Sequence, residues 1–266
     1  MVRRPLGNHH DRPDTLLVTS DTQQTDRAAL EGDKATEKVQ ELIGRARVVL
    51  WDFDGPVCRL FAGYPAANIA AGLVERLELR GLRGLLSEVE RDSPDPHAVL
   101  RAVDSRCSGS DLVVELEEWL TEEELTAATS AQPTPYADPL IRTWVAVGAR
   151  MAITTNNSPR VVGKYLAGRE LSACFAPHVY GRTADLQLLK PDPHCLNKAL
   201  RAMGSAPEDA LMIGDTPTDL EAARRAGVPF LGYARNDLKG SLLRDEGAEA
   251  VVTSLEPVLV AVRKRA

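Results

Sequence analysis

The segment VVLWDFDGPV, residues 48–57, runs an apolar stretch into two carboxylates, Asp52 and Asp54, two positions apart and followed by glycine and proline. A short β-branched run bounded in this way reads as a strand buried on both faces, as in a parallel sheet. Paired negative charge at its carboxyl end needs a reason. Unpaired carboxylates close together raise each other's pKa and destabilise a fold unless a cation neutralises them.

Outward from this strand the chain changes character twice. Before it, residues 1–33 are polar, with Pro5, Pro13 and the adjacent His9 and His10 but no sustained periodicity, and are expected to form a flexible extension. KATEKVQELIGRA, residues 34–46, has the spacing of a short amphipathic helix. From Tyr64 to about Ala131 only helical patterns occur: ANIAAGLVERLEL, LRGLLSEVER, PHAVLRAVDSR and DLVVELEEWLTEEELTAATSA, separated by breaks such as DSPDP at 92–96. QPTPYADP, residues 132–139, closes that stretch. Strands then alternate with helices: RMAITT (150–155), HVYG (178–181), ALMIGD (210–215), PFLGYA (229–234) and AVVT (250–253). This alternation predicts an α/β fold, a three-layer α/β/α Rossmann-like parallel sheet with an inserted all-helical segment. The expected organisation is an α/β core built from 34–60 and 139–266, with the helical insertion over 61–138.

Composition narrows the function classes. No apolar run approaches the roughly 18 residues of a membrane helix, and the first twenty residues lack the longer apolar segment of a signal peptide. A soluble, cytoplasmic protein is expected. Cys58, Cys107, Cys174 and Cys195 are far apart with no CxxC, so neither a disulfide framework nor a zinc knuckle is indicated. A net charge of −6, with no basic block and 5% aromatic residues, speaks against nucleic acid as a partner. Only 7 of the 32 basic residues are lysines, so a lysine in a special place is less often accidental.

Ligands of open parallel sheets bind at the carboxyl ends of strands. Four polar clusters fall at or beside such ends: DFDG (52–55), TTNNSP (154–159), KPDP (190–193) and GDTPTD (214–219). Singly, each has a plain reading. Asp-Xaa-Asp-Gly serves in turns, although a calcium loop of the EF-hand type wants its glycine sixth rather than fourth. Ser158 with Pro159 looks like a helix start, Thr216 to Asp219 fits a capping box, and Lys190 before Pro191 suits a solvated helix entry. Together, Asp52, Asp54, Asp215 and Asp219 crowd one crevice. A few carboxylates on rigid strand ends suit a hard divalent ion that keeps several waters, which is Mg²⁺. With Lys190, Thr155 and backbone N–H groups beside it, the crevice would accept a dianion.

At these residues the sequence resembles the haloacid dehalogenase superfamily, in particular its phosphatases similar to phosphoglycolate phosphatase. Four motifs stand in family order: DFDG, Thr155 in ITTNN, Lys190 in LLKPDP, and the acidic pair in GDTPTDLEAARRAG. The helical insertion then corresponds to the family's cap. The resemblance implies that Asp52 is the nucleophile, forms an aspartyl-phosphate and ligates Mg²⁺. It implies that Asp54 is the general acid and then base, its backbone carbonyl also on the metal. Asp215 would ligate the metal directly and Asp219 from behind it. Thr155 and Lys190 would hold the phosphoryl oxygens, helped by the backbone N–H groups of Phe53 and Asn156. The implied activity is Mg²⁺-dependent hydrolysis of a small phosphorylated metabolite, with a phosphomutase or a non-catalytic phosphate-binding regulator as alternatives.

Pro56 stands where the family often has Thr, and Arg59 where it often has an acid. Arg59, Phe61 and Tyr64 are candidates for substrate selection, with a stiffened hinge and ordinary packing as the competing account. HCLNKALR, residues 194–201, matches the spacing of cysteine phosphatases, but a helix-forming run cannot make their glycine-bearing phosphate loop, so Cys195 is expected to pack on a helix. His97, His178 and His194 lack ligand spacing and read as structural or surface residues.

Overall fold

The apolar run at the head of the DFDG cluster forms the central strand β1 (Val48–Trp51), and all four of its side chains are buried. The computed structural model describes residues 36–265, so the extension read over 1–33 lies outside the described residues. Ahead of β1 is a helix over residues 36–45, α1. After it come β2 (Cys58–Arg59), α2 (Ala66–Leu79), α3 (Glu88–Arg91), α4 (Pro96–Cys107), α5 (Asp111–Ala127) and β3 (Gln132–Pro133). Then follow α6 (Ala137–Ala146), β4 (Arg150–Thr154), α7 (Pro159–Gly168), α8 (Ser172–Phe175), β5 (Val179–Tyr180) and α9 (His194–Met203). The chain finishes with β6 (Ala210–Gly214), α10 (Pro217–Ala226), β7 (Phe230–Tyr233), α11 (Asp237–Asp245), β8 (Val251–Val252) and α12 (Glu256–Arg263).

Six strands form one parallel sheet in the order β5-β4-β1-β6-β7-β8. Side chains of β1 alternate between its faces, and that alternation builds the three layers. Val49 and Trp51 join a core with Val39 and Ile43 of α1, Ile141 and Trp144 of α6, Val162 of α7 and Leu259 of α12. Val48 and Leu50 face Leu196 and Leu200 of α9 and Ala222 and Ala223 of α10. Trp51 meets Trp144 edge to face, with ring centroids 6.0 Å apart, and its indole N–H points at the Met151 sulfur at 3.4 Å. The α/β/α architecture expected from the strand and helix alternation is present.

Helices α2, α4 and α5 bury a separate apolar cluster, with Ile69, Leu73, Val99, Leu100, Val103, Leu116 and Leu120 at its centre. Leu186 and Leu189, from the loop that leads to Lys190, complete it. The chain leaves and rejoins the sheet through the short antiparallel pair β2 and β3. Thr134 closes the neck by donating its N–H to the Val57 carbonyl (3.1 Å) and its hydroxyl to that of Gly55 (2.5 Å).

Three elements differ from the expectation. The single helix read over 82–91 is a 3₁₀ turn, Arg83–Leu85, then α3, because Ser87 starts a new helix with a capping box to Glu90. The last helical pattern ends at Ala127 rather than running to 131. Helix α6 was hidden by prolines, since 132–139 reads as a closing loop, yet Pro139 lies in the first turn, where no N–H is needed. Among the described residues, no helix is long and apolar enough to cross a membrane.

Candidate active site

In register, β1 pairs Trp51 with Ile153 of β4 and with Ile213 of β6, so the three strands end level. The next residues, Asp52, Thr154 with Thr155, and Gly214 with Asp215, therefore converge at one edge. Asp52 is anchored there by its own N–H on the Ile213 carbonyl, at 2.9 Å. Lys190 comes from the loop after β5. Its ammonium donates to Asp52 Oδ1 (2.7 Å), Asp219 Oδ1 (2.5 Å) and the Thr154 carbonyl (3.0 Å), and the residue is 2% exposed. That burial excludes a solvated side chain at a helix entry.

Asp219 is held by the capping box read from the sequence. Its Oδ2 accepts from the N–H of Asp215 and of Thr216, both at 3.1 Å, and from the Thr216 hydroxyl at 2.7 Å. With Lys190 on the other oxygen, Asp219 is fully committed. Asp215 is not. One oxygen pairs with the Lys239 ammonium from α11, while Oδ1 is buried without a hydrogen-bond partner among the described residues. Carboxylate oxygens of Asp52, Asp215 and Asp219 lie within 4.8 Å of one another. An orphaned buried carboxylate oxygen in such a group costs stability unless a cation takes it up. The donor set, all oxygen, therefore fits a hard divalent ion.

Asp54 donates nothing to this group. Its Oδ1 accepts the Leu60 N–H at 2.8 Å, which turns the carboxyl across the start of the insertion. Burial first, and then the neighbouring Asp219 charge, pushes the Asp52 carboxyl up against the pull of Lys190. Burial likewise raises Asp215 against the pull of Lys239, and lifts Asp54 to about 6.

Asn156 braces Lys190 rather than facing the crevice with its amide. It accepts the Lys190 N–H at 2.8 Å and donates to the Lys190 carbonyl at 3.2 Å. The Thr155 hydroxyl accepts the Asn157 N–H and is bonded to Asn157 Oδ1. Asp52, Asp54, Thr155, Asn156, Lys190 and Asp219 nonetheless line one cavity of about 710 Å³, roofed by Pro94–His97 of the insertion. A neighbouring cavity of about 600 Å³ shares Asp54, Phe61, Arg235 and Lys239 with it, and reaches Asp215 and Arg59. Of the selection candidates, Arg59 bonds to Gln132 across the β2–β3 pair and Tyr64 to the Glu123 carboxylate.

Gly55 is required by this packing. Its φ is +123°, and a Cβ there would lie 2.3 Å from Asp215 Cγ. Gly55→Ala is expected to push the Asp215 carboxylate aside and weaken divalent-ion binding at least ~10-fold by titration calorimetry, about 1.4 kcal/mol.

The sequence reading missed a second buried cluster. Glu124 of α5 and Arg182, after β5, form an ion pair with both side chains fully buried. Burial opposes the Glu124 charge, but Arg182 and His97 outweigh it and hold the carboxyl down to about 2. A depressed carboxyl pKa contributes stability present above the ordinary value of 4.5 and lost as pH falls towards 2. The contribution is on the order of 3 kcal/mol. Glu124→Gln should lack that part of the acid slope in Tm measured from pH 5 to 2. Two readings are refined here. His97, read as structural or surface, is structural through its Nε2, which lies 2.9 Å from Glu124 Oε1. The helix start read at Ser158 and Pro159 is present, with Ser158 at the N-cap of α7, although its hydroxyl caps nothing and its N–H donates instead to Glu124. Cys195 packs on α9 as expected, its thiol pushed up to about 11, mainly by burial.

The family model for haloacid dehalogenase-like hydrolases matches residues 46–227. A Pseudomonas putida protein named as a probable phosphoglycolate phosphatase is 28% identical over 158 residues, 59% of this chain and 60% of its own. A phosphoglycolate phosphatase of Thiobacillus denitrificans is 33% identical over 47% of this chain and 54% of its own. A Thermus thermophilus phosphoserine phosphatase is 38% identical over 39% of each. The matched stretch thus spans less than two thirds of these relatives. Among solved structures, a Bacteroides vulgatus chain assigned as a β-phosphoglucomutase superposes with a TM-score of 0.64 at 17% identity, covering 89% of this chain and 98% of that one. A haloacid dehalogenase-like hydrolase from Streptococcus pneumoniae gives 0.57 at 17% identity, covering 83% and 99%.

Proposed function

Because the chain belongs to the haloacid dehalogenase-like hydrolases, we propose that it is a Mg²⁺-dependent phosphatase of a small phosphomonoester metabolite. The observation that carries this reading is the pairing of Asp52 with a buried lysine beside the partnerless oxygen of Asp215. Asp52, Asp215 and the Asp54 carbonyl would hold the ion, with Asp219 orienting Asp215 and Lys190 from behind. When bound, the ion supplies charge neutralisation at the phosphoryl oxygens. Lys190 already sits against Asp52, where it lowers the repulsion between a carboxylate nucleophile and a dianionic substrate.

In the proposed reaction an Asp52 oxygen attacks phosphorus and the bond to the leaving oxygen breaks, giving an aspartyl-phosphate. Asp54, at a pKa of about 6, gives its proton to the leaving oxygen and then takes one from the attacking water. Thr155 and Lys190 receive the phosphoryl oxygens, with the N–H groups of Phe53 and Asn156. Residues 61–138 serve as the cap, covering the cavity from the side of Pro94–His97. The core is then 34–60 with 139–266.

The test is phosphate release from a panel of small phosphomonoesters, with Mg²⁺ and with chelator. Release that needs Mg²⁺ is expected. Release that persists unchanged in chelator after exhaustive dialysis would overturn the metal assignment, and none from any ester would overturn the phosphatase.

A further inference from the structure

Glu124 belongs to the helical insertion, yet its carboxylate serves three other parts of the molecule. Oε1 accepts from Arg182 Nη1, from Asn157 Nδ2 and from His97 Nε2, each at 2.9 Å. Oε2 accepts from the Ser158 N–H and from Arg182 Nη2, both at 3.1 Å. Five donors saturate a carboxylate that has about four lone-pair sites. Arg182 is itself held by Thr121, Glu117 and the Asn156 carbonyl, at 2.8 to 3.0 Å. Glu124 and Arg182 are thus held from several sides at once.

One consequence concerns the imidazole. A carboxylate can only accept, so His97 Nε2 carries its hydrogen towards Glu124, and the exchangeable ring position is Nδ1. Asp95 Oδ1 lies 3.6 Å from Nδ1, beyond hydrogen-bond range. His97 lines the same cavity as Asp52, Asp54, Thr155 and Lys190, with its side chain 13% exposed. His97 thus commits Nε2 to Glu124, while Nδ1, with the Asp95 carboxylate nearby, makes no hydrogen bond among the described residues. The same carboxylate that fixes its ring also fixes Asn157 and Ser158, two and three residues after Thr155. The phosphoryl loop and the imidazole are thus set against each other by one buried group.

We propose that His97 is a specificity-determining contact for the substrate's alcohol portion, and that Glu124 is the positioning residue that holds it over the phosphoryl site. The inference rests on the phosphatase reading above. Nδ1 accepts a hydrogen bond from a hydroxyl of the leaving alcohol, or, in the ring that carries hydrogens on both nitrogens, donates one to its carboxylate, so the enzyme selects short oxygen-bearing phosphomonoesters over plain aryl ones.

The full-length protein tests this with phosphoglycolate, glycerol 3-phosphate and phenyl phosphate as probes. In His97→Ala the ratio of kcat/KM for the oxygen-bearing esters to that for phenyl phosphate should fall ~10- to 100-fold, carried by KM. Glu124→Gln should reproduce that fall and add nothing to it in the His97→Ala background. Should Glu124→Gln fail to fold by circular dichroism, His97→Gln and His97→Ala decide alone, since both leave the Glu124–Arg182 pair intact. An unchanged ratio in His97→Ala, or equal losses on all three esters, would overturn the inference while the phosphatase stands. No release from any ester by the wild type would overturn both.

Discussion

Asp52→Asn should lower phosphate release by roughly three orders of magnitude or more while the protein remains folded. The amide keeps the shape of the carboxylate, and the backbone N–H of residue 52 still reaches the Ile213 carbonyl. Lys190 keeps two partners, Asp219 and the Thr154 carbonyl, so no buried ammonium is stranded. What is lost is the oxygen proposed as the nucleophile. An amide cannot form the proposed acyl phosphate, and the carboxylate paired with Lys190 is gone. Stability should move by about 1 kcal/mol or less, because the replacement also removes a carboxylate whose burial is unfavourable. Steady-state phosphate release together with a circular dichroism melt checks both halves. Turnover retained by a folded variant would remove Asp52 from the nucleophile's role.

Lys190→Met should act in the opposite sense, on the fold as much as on the chemistry. Its ammonium is the shared partner of two buried carboxylates, and breaking a buried pair by deleting one member typically costs about 3–5 kcal/mol. Burial alone would discharge Lys190, but Asp219 and Asp52 more than offset it and keep the ammonium charged well above the usual lysine range. Urea denaturation should therefore show a large fall in midpoint, part of which Lys190→Met/Asp219→Asn recovers by removing the second stranded charge. Fluoroaluminate inhibition should weaken in the single variant wherever it stays folded. An unchanged midpoint would contradict the burial of this charge between the two carboxylates.

Much of this arrangement is legible in the chain because parallel strands announce themselves as apolar runs and their ligand ends as polar clusters. VVLW, RMAIT and ALMIG become β1, β4 and β6, and the residues immediately after them supply Asp52, Thr155 and Asp215. Asp219 is legible for a local reason, the capping box that begins at Thr216. What escapes is non-local. Lys239 meets Asp215 only because α11 folds back over the end of β6. The scarcity of lysine in an arginine-rich chain was the available hint. Glu124 lies in the run Glu122-Glu123-Glu124, where composition suggests a solvated face. Its spacing says otherwise, since Leu116, Leu120 and Glu124 fall four apart on the buried stripe of α5. A charge on an apolar stripe signals a buried partner, although the partner, Arg182, lies 58 residues away and carries no local mark. Helix α6 was lost for a different reason, because prolines at 133, 135 and 139 mimic a loop when helix starts tolerate them.

Whether a phosphoryl group passes through Asp52 is decided by mass spectrometry of the Asp54→Asn protein quenched in acid after mixing with 4-nitrophenyl phosphate and Mg²⁺. The 4-nitrophenolate leaving group needs no proton from residue 54, so the first step survives the substitution while the second, which relies on that carboxylate to activate water, slows and the intermediate accumulates. The peptide that contains Asp52 should gain the mass of one phosphoryl group, a gain absent when chelator replaces Mg²⁺ and absent in Asp52→Asn/Asp54→Asn. Phosphoryl on the Cys195 peptide instead, or none on any peptide while the substrate is consumed in a burst, would rule out Asp52 as its carrier.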